Sequence, residues 1–258
     1  MTELLDHAVV APDSAKGTLD VEQVTKRFGG LTAVNAVSLR VVPGQVTSLI
    51  GPNGAGKTTL FNCLTGVHAA SSGRILLDGR DITTLAMHRR AQLGIGRTFQ
   101  RLEVFAGMTV QNNLLVAAES VDRHRGRRGR GSALEVTEQV LETVGLTRVR
   151  HTMAGELPTG TLRLVELGRA LCVQPSVLLL DEPGSGLDSH ESEALEQILR
   201  SLATTGIGIL LVEHDVGLVM ALSTTIYVVD FGQLIATGTP DEISNNDDVR
   251  RAYLGVDA

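Results

Sequence analysis

The sequence predicts an α/β fold with an antiparallel β section near its start and a helical subdomain inserted in its middle. Apolar and polar residues alternate at 19–24 and again at 37–41, which is typical of strands with one solvated face. The runs 176–183 and 208–212 are mostly continuous apolar sequence, as strands buried on both faces of a parallel sheet must be. Between these two parts, from about 101 to 170, the apolar spacing is mostly helical.

The composition is that of an ordinary globular chain long enough to bury a sizeable core. Of its 258 residues, 43% are hydrophobic and 20% are charged, and the net charge is −6. This acidic balance argues against a surface that binds nucleic acid or anionic membranes non-specifically. No apolar run approaches the roughly 18 residues of a membrane-spanning helix, and the first residues lack the pattern of a signal peptide. We therefore expect a cytoplasmic chain that is free to dock on a membrane protein.

The two cysteines and one basic run bear less directly on function. Cys63 and Cys172 have no metal-ligand spacing and lie in apolar helical contexts, so we expect small core residues. The run 123–131 is rich in arginine, which suits either contact with phosphate or lipid head groups or a solvated flexible loop. Because it has no aromatic residues for base stacking and the protein is acidic, we predict the loop.

Periodicity and turn residues place the remaining elements. Besides the strand at 47–50 and the helix running to Thr65, we expect a strand at 73–79, a short helix at 87–93 and strand-like character at 95–100. Helices are predicted at 110–118, 134–144, 162–173 and 188–202, the last beginning with a capping box of Asp188 and Glu191. A hairpin at 226–230 and 233–237 and a helical tail from 241 to 258 complete the chain.

The stretch around which this fold is organised joins the strand at 47–50 to the following helix. Gly51, Gly56, Lys57 and Thr58 match the spacing G-x-x-x-x-G-K-[ST] of a P-loop. Glycines let backbone N–H groups turn inward, and the start of the helix adds positive dipole, so the loop cradles phosphate oxygens. Lys57 would reach the outer phosphates, and Thr58 would offer its hydroxyl to Mg²⁺. We predict a nucleoside triphosphate site in a P-loop (RecA-like) core, formed by Gly51, Asn53, Gly54, Ala55, Gly56, Lys57, Thr58 and Thr59.

An acidic pair at the end of the strand at 176–183 complements this loop. Asp181 is suited to hold Mg²⁺, directly or through water, near the outer phosphates. Glu182 points differently and is suited to act as general base for the attacking water. Since no second nucleophile or acceptor site is evident, the predicted chemistry is hydrolysis of the triphosphate.

In its motifs and their order the chain resembles an ATPase subunit of an ABC transporter. After the P-loop, the resemblance is carried by the stretches at 98–100, 157–160, 178–183, 186–188 and 213–215, and it covers residues 19 to 257. It is closest to the ATPases of branched-chain (hydrophobic) amino acid importers, on the stretches 28–34, 94–100, 108–117 and the tail at 238–240 and 251–255. The resemblance implies ATP and Mg²⁺ as ligands.

The resemblance also implies roles for four residues. Phe28 matches the aromatic residue that stacks on adenine; local chemistry alone fits packing on the sheet edge equally well. Gln100 matches the residue that senses Mg²⁺ and the attacking water, on a loop that contacts the membrane subunits. His214 matches the switch histidine that contacts the γ-phosphate. Asp188 matches the D-loop, which crosses the interface between two ATPase subunits.

The signature sequence departs from the family pattern. It is usually Leu-Ser-Gly-Gly-Gln, whose serine hydroxyl and glycine amides bind the γ-phosphate of ATP held on the opposite subunit, and here it reads Leu-Pro-Thr-Gly-Thr at 157–161. Pro158 has neither a hydroxyl nor an N–H, and Thr159 and Gly160 complete the predicted contact. We expect this chain's own P-loop, completed by a partner's signature, to be the stronger of two hydrolytic sites.

These features lead to one expected organisation. Residues 1–16 form a flexible leader and 17–240 the ATPase domain, with a core of about 17–100 and 171–240, a helical subdomain of about 101–170, and a C-terminal tail at 241–258. The family implies a second ATPase subunit, identical or different, as partner on the cytoplasmic face of the membrane. It also implies permease subunits and, indirectly, an external solute-binding protein, with no nucleic acid. A lipopolysaccharide-export ATPase or a soluble non-transport ABC ATPase is the alternative, and the solute stays open.

Overall fold

The computed structural model describes residues 17–98, 103–125 and 131–254. The predicted leader at 1–16, Gln100 and most of the basic run therefore lie outside the described residues. The part that is described is an α/β fold with two sheets, one antiparallel and one mostly parallel, so the predicted fold class is confirmed. No helix within the described ranges is both long and apolar enough to cross a membrane.

The antiparallel sheet has four strands in the order β2-β1-β4-β5. The strands are β1 (Leu19–Phe28), β2 (Leu31–Val41), β4 (Ser72–Leu77) and β5 (Arg80–Asp81). β1 pairs with β2 on one side and β4 on the other, antiparallel in both cases. The strands extend further than their alternating sequence indicates, because β1 and β2 are joined by a turn of only Gly29 and Gly30.

The second sheet has six strands in the order β10-β9-β3-β8-β7-β6. These are β3 (Val46–Ile50), β6 (Ile95–Arg97), β7 (Val177–Asp181), β8 (Gly208–Val212), β9 (Thr225–Asp230) and β10 (Gln233–Gly238). All neighbours pair in parallel except β9 and β10, which form the predicted hairpin. Within this sheet, Leu49 pairs with Val212, which in turn pairs with Asp181. The carboxyl ends of β3, β8 and β7 therefore reach the same edge.

Nine helices are seen in the described ranges, and most match their prediction within a few residues. They are α1 (Lys57–Thr65), α2 (Met87–Leu93), α3 (Val110–Arg125), α4 (Ala133–Thr143), α5 (Thr159–Cys172), α6 (Ser189–Thr204), α7 (Val216–Leu222), α8 (Pro240–Ser244) and α9 (Asp247–Leu254). Three differences matter. The loop prediction for 123–131 was wrong at its start, because α3 continues through Arg125. α7 was not predicted, and the tail is two helices rather than one.

The parallel sheet divides the core into two parts. Leu178 and Leu180 of β7 pack into a cluster with α3, α4, α5 and α6, whereas Val177 and Leu179 pack with α1 and the antiparallel sheet. The strand is fully buried on both faces, which is why its sequence is apolar without alternation. Cys63 and Cys172 are both buried in these clusters, as expected of small core residues.

Candidate functional site

The predicted phosphate-binding and acidic residues meet at one edge of the parallel sheet. β3 ends at Ile50 and is followed by the P-loop, while β7 ends at Asp181 and β8 ends just before Glu213. Because the three strands are parallel and adjacent, residues that follow them share the carboxyl edge. Ligands of open α/β sheets bind outside this edge, so the sequence motifs converge on a position that suits a site.

Glycine is required at the two ends of the P-loop by its close approach to other backbone. Gly51 has φ 153°, and a Cβ there would lie 2.0 Å from the Val229 carbonyl oxygen. Gly56 has φ 99°, and its Cβ would lie 2.4 Å from the Ala33 carbonyl oxygen. The loop is thus held between β9 and the start of β2. Its exposed members, which face solvent where a phosphate would enter, are Asn53, Gly54 and Thr58.

Lys57 lies folded over this loop. Its Nζ donates to the carbonyl oxygens of Gly51 at 2.6 Å and Pro52 at 2.9 Å, and only 8% of the residue is exposed. Burial lowers the pKa of Lys57, while the carboxylates of Glu182 and Asp181 act in the opposite direction. The ammonium group is therefore held by neutral carbonyls beside two acidic side chains, and an anionic phosphate would be a stronger partner than those carbonyls.

Asp181 is a buried carboxyl group whose pKa is raised above that of an ordinary aspartate. Burial and the neighbouring Glu182 raise its pKa to about 6, against the smaller opposing effects of Arg97 and Lys57. Its backbone N–H donates to the Thr98 hydroxyl at 3.2 Å, but its Oδ1 has no hydrogen-bond partner among the described residues. A buried acidic oxygen without a partner is costly unless a ligand satisfies it.

Glu182 follows directly and is presented differently. It is half-buried and has φ 49°, a left-handed conformation that costs energy in a residue other than glycine. Its N–H donates to the Val212 carbonyl oxygen at 2.8 Å, so the strained residue is held by the neighbouring strand. Strain of this kind often accompanies functional sites.

The donor set suits Mg²⁺ rather than a metal held by protein alone. No group of three or more His, Cys, Asp or Glu side chains in the described ranges is arranged to hold a metal. Magnesium typically takes one or two protein oxygens and completes its shell with phosphates and water. The unpartnered Oδ1 of Asp181 and the exposed Thr58 at the same edge fit that pattern. Gln100, the third predicted ligand, lies outside the described residues.

Glu213 is a functional candidate that the sequence analysis did not assign. It is completely buried, and its Oε1 accepts from the Gly184 N–H at 2.7 Å while Oε2 accepts from the His214 N–H at 3.0 Å. It therefore ties the loop after Glu182 to the turn that carries His214. His214 itself is exposed, with Nδ1 3.6 Å from Glu213 Oε2. The sequence offered one signal for this residue. A glutamate directly after an apolar strand is placed where it can be buried, and acidic residues are seldom fully buried without a partner.

The signature residues lie at the start of α5. Pro158 is the N-cap of this helix and makes no side-chain capping bond; it is exposed, as is Thr159, whereas Gly160 is buried. Asp188 caps α6, and its carboxylate accepts from the Glu191 N–H at 2.8 Å. The capping box predicted from the sequence is thereby confirmed, and the D-loop role of Asp188 stays a prediction.

Phe28 and Tyr253 lie at opposite ends of the described chain. Phe28 ends β1 with its ring exposed and makes an edge contact with His68, the centroids 5.4 Å apart. An exposed ring is available for stacking on a base. Tyr253 of α9, to which the sequence analysis gave no role, lies near the P-loop. Burial raises the pKa of its hydroxyl, and the nearby backbone N–H of Gly51 acts in the opposite direction.

Comparison with known families agrees with this geometry. The ABC transporter family model matches residues 34–185, and that of the branched-chain amino acid ATP-binding cassette transporters matches residues 233–258. The high-affinity branched-chain amino acid transport ATP-binding protein BraF of Pseudomonas aeruginosa is 43% identical over 251 residues, covering 92% of this chain and 97% of that protein. The corresponding protein LivG of Escherichia coli is 43% identical over 248 residues with the same coverage.

Solved structures have the same fold. A nucleotide-free ATP-binding cassette from an ABC transporter superposes with a TM-score of 0.82 at 33% identity, over 92% of this chain and 99% of that one. A structure of the ADP conformation of an ATP-binding cassette of an ABC transporter gives a TM-score of 0.81 at 32% identity, over 92% of this chain and 98% of that one. From the family match, the identities and the shared fold, the chain belongs to the ATP-binding cassettes of ABC transporters.

Proposed function

We propose that this chain is the ATP-hydrolysing subunit of an ABC importer that takes up branched-chain amino acids or a related small solute. The observation that carries the proposal is the convergence of Lys57, Asp181, Glu182 and His214 on one sheet edge. The two relatives named for branched-chain amino acid transport, and the family match in the tail at 233–258, support the choice of solute. A lipopolysaccharide exporter or a non-transport ATPase has no comparable support.

In the proposed mechanism the P-loop binds the phosphates and the acidic pair promotes hydrolysis. Lys57 exchanges the carbonyl oxygens of Gly51 and Pro52 for phosphate oxygens, which the start of α1 also attracts. Asp181, Thr58 and Gln100 would hold Mg²⁺, which would supply positive charge to neutralise the phosphates. Glu182 accepts the proton of the attacking water, and His214 donates a hydrogen bond to the γ-phosphate. Phe28 stacks on the adenine ring.

We propose that the site is completed by a second ATPase subunit. In this chain the start of α5 offers the backbone of Thr159 and Gly160 to the partner's ATP. Pro158 offers neither a hydroxyl nor an N–H. The site on this chain's own P-loop, closed by the partner's signature, is then the stronger one. Glu182→Gln in this chain and the equivalent change in the partner, tested one at a time, should give unequal losses of ATPase activity; equal losses would contradict the asymmetry.

The permease subunits, on our proposal, dock in a cavity of about 350 Å³ between α2, β6, α3 and α5. Arg97 and Glu103, which precede and follow the segment containing Gln100 in sequence, both line the cavity. Exposed apolar side chains of Phe105 and Val116 also line it, and the guanidinium of Arg169 lies 4.6 Å from the centre of the Phe105 ring. An apolar surface with charged residues at its rim suits a protein partner. The chain would then work on the cytoplasmic face of the membrane.

Two measurements test the proposal. Glu182→Gln should lower kcat at least about a hundredfold while ATP binding persists, because only the proton acceptor is lost. The exposed Glu193→Gln on α6 is the control and should keep full activity. In vesicles with the permease and binding protein, leucine uptake should require ATP and intact Glu182. Wild-type turnover in Glu182→Gln would overturn the mechanism, and co-purification with ribosomes or DNA instead of a permease would overturn the function.

A separate variant tests the proposed docking surface for the permease. Val116→Asp places a charge on an exposed apolar position of the cavity, so it should abolish co-purification with the permease and leave ATP binding intact. Leu134→Asp, at an exposed apolar position of α4 outside the cavity lining, is the matched control. Retention of the permease by Val116→Asp would place the interface elsewhere.

A further inference from the structure

The backbone conformation at the start of α5 does not require a glycine at position 160. It lies at the second position of the helix, outside the left-handed region in which glycine is favoured. In a regular helix alanine is the better residue, because glycine loses more backbone freedom on folding. Some other constraint must therefore account for a glycine here.

The constraint in this structure is the carboxylate of Glu191. A Cβ at position 160 would lie 2.0 Å from Glu191 Oε1, 2.3 Å from its Cδ and 2.6 Å from Oε2. Real Cβ atoms essentially never lie this close to a neighbour, so a side chain at 160 would require the carboxylate, the end of a flexible side chain, to move. Gly160 is buried as a result, although its neighbours Pro158 and Thr159 are exposed.

Glu191 is at the same time bound to the D-loop. Its Oε2 accepts from the Asp188 N–H at 3.1 Å, and its own N–H donates to Asp188 Oδ1 at 2.8 Å. The two segments also approach each other at Gly186, since a Cβ added there would be 3.9 Å from the Thr159 methyl group. The carboxylate thus bridges two segments that are about 30 residues apart in sequence and belong to different helices.

We propose that Glu191 is a positioning residue that couples the D-loop at 186–188 to the signature loop at 158–161 within one subunit. The inference rests on the proposed function, in which the signature loop meets the partner's ATP and the D-loop crosses the interface. Because the carboxylate is seated on Gly160 and fixed by Asp188, a displacement of either loop is transmitted to the other. Glu191 touches no reacting atom; it sets the distance between two segments that do their work at the interface.

The test is a double-mutant cycle on the ATPase activity of the assembled transporter. Glu191→Ala removes the coupling group, and Gly160→Ala expels it from its seat. Each should lower kcat about tenfold or more, because small misplacements of catalytic segments have effects of this size. KM for ATP on this chain's own P-loop should change little. The double variant should be no slower than the slower single variant, since both changes break one contact.

Two further variants distinguish a positioning role from a role in folding alone. Glu191→Gln should restore most of the activity, because its amide oxygen still accepts from the Asp188 N–H and fits the same seat. Glu193→Ala, which removes an exposed carboxylate two residues along the same helix, should leave kcat unchanged. Multiplied losses in the double variant would show that Gly160 and Glu191 act independently and would overturn the proposal. So would a loss in Glu191→Gln equal to that in Glu191→Ala.

The folding of the isolated chain separates this inference from the proposed function. In the wild type, Gly160→Ala should lower the urea midpoint, because it displaces the Glu191 carboxylate from Asp188. In the Glu191→Ala variant the same change should raise the midpoint, because only the better helix propensity of alanine remains. This reversal of sign needs no transport or ATPase activity. A wild-type complex without ATPase activity would refute the proposed function, whereas an unreversed sign would refute the contact itself.

Discussion

Replacing Asp181 by Asn should stabilise the chain in the absence of nucleotide, and more so at higher pH. Only 4% of this residue is exposed, and burial with the adjacent Glu182 raises its pKa from 3.8 to about 6. Below pH 3.8 the group is protonated in both the folded and the unfolded chain and costs nothing. Between the two values the unfolded chain releases the proton while the folded chain keeps it, so the stability contributed by this group falls as pH rises.

The magnitude follows from the difference between the two pKa values. One pKa unit corresponds to about 1.4 kcal/mol, so ionised Asp181 destabilises the folded chain by about 3 kcal/mol at pH 8. The same linkage relation gives about half of that at pH 5. The amide of the Asp181→Asn variant carries no such charge. We therefore expect Asp181→Asn to raise the free energy of unfolding at both pH values, with the larger gain at pH 8.

Urea unfolding of the nucleotide-free chain at pH 5 and pH 8 measures this difference. Glu193→Gln, at an exposed position on α6, is the control and should change stability by less than about 0.5 kcal/mol at either pH. Mg²⁺ with ATP should stabilise the wild type but far less the Asp181→Asn variant, which lacks the charged oxygen. Equal gains at the two pH values, or a loss at pH 8, would refute the reasoning that this carboxylate is held at a cost for its ligand.

Three other substitutions test contacts around the same site. Glu213→Gln leaves only one side-chain oxygen to accept from the Gly184 and His214 N–H groups. It should therefore lower the free energy of unfolding in urea by about 1–3 kcal/mol and also lower kcat. Unchanged values would show that this buried bridge is unimportant. Pro158→Ser supplies a hydroxyl and an N–H at the signature position that faces the partner's ATP, so it should raise the turnover of that ATP; unchanged turnover would mean that Pro158 is silent. Tyr253→Phe removes the hydroxyl that lies near the Gly51 N–H, so it should weaken ATP binding severalfold in a titration. Unchanged binding would mean that α9 does not support the P-loop.

Much of the fold was accessible from local sequence because it depends on local physical chemistry. The P-loop is specified by glycines whose backbone no other residue could adopt without collision, and by the lysine that follows them. The apolar sequence of β7 and β8 reflects burial on both faces, and the capping box of Asp188 and Glu191 marks the start of α6. α7 escaped prediction because its sequence, VGLVMAL, has no polar side chain, so no polar face marks a helical period.

The contacts that join these motifs were decided by the tertiary structure alone. The register of three parallel strands brings the ends of β3, β7 and β8 to one edge, and no local pattern encodes that register. Glu213 spans from β8 to the loop after β7, Tyr253 reaches Gly51 from the far end of the chain, and Glu191 is seated on Gly160. The sequence by itself determined which groups are predicted to bind phosphate, metal and water, since those roles depend on side-chain chemistry and short spacing. Which buried carboxylates connect those groups depended on the packing of distant segments, because a carboxylate becomes a bridge only when folding removes water and brings donors to it.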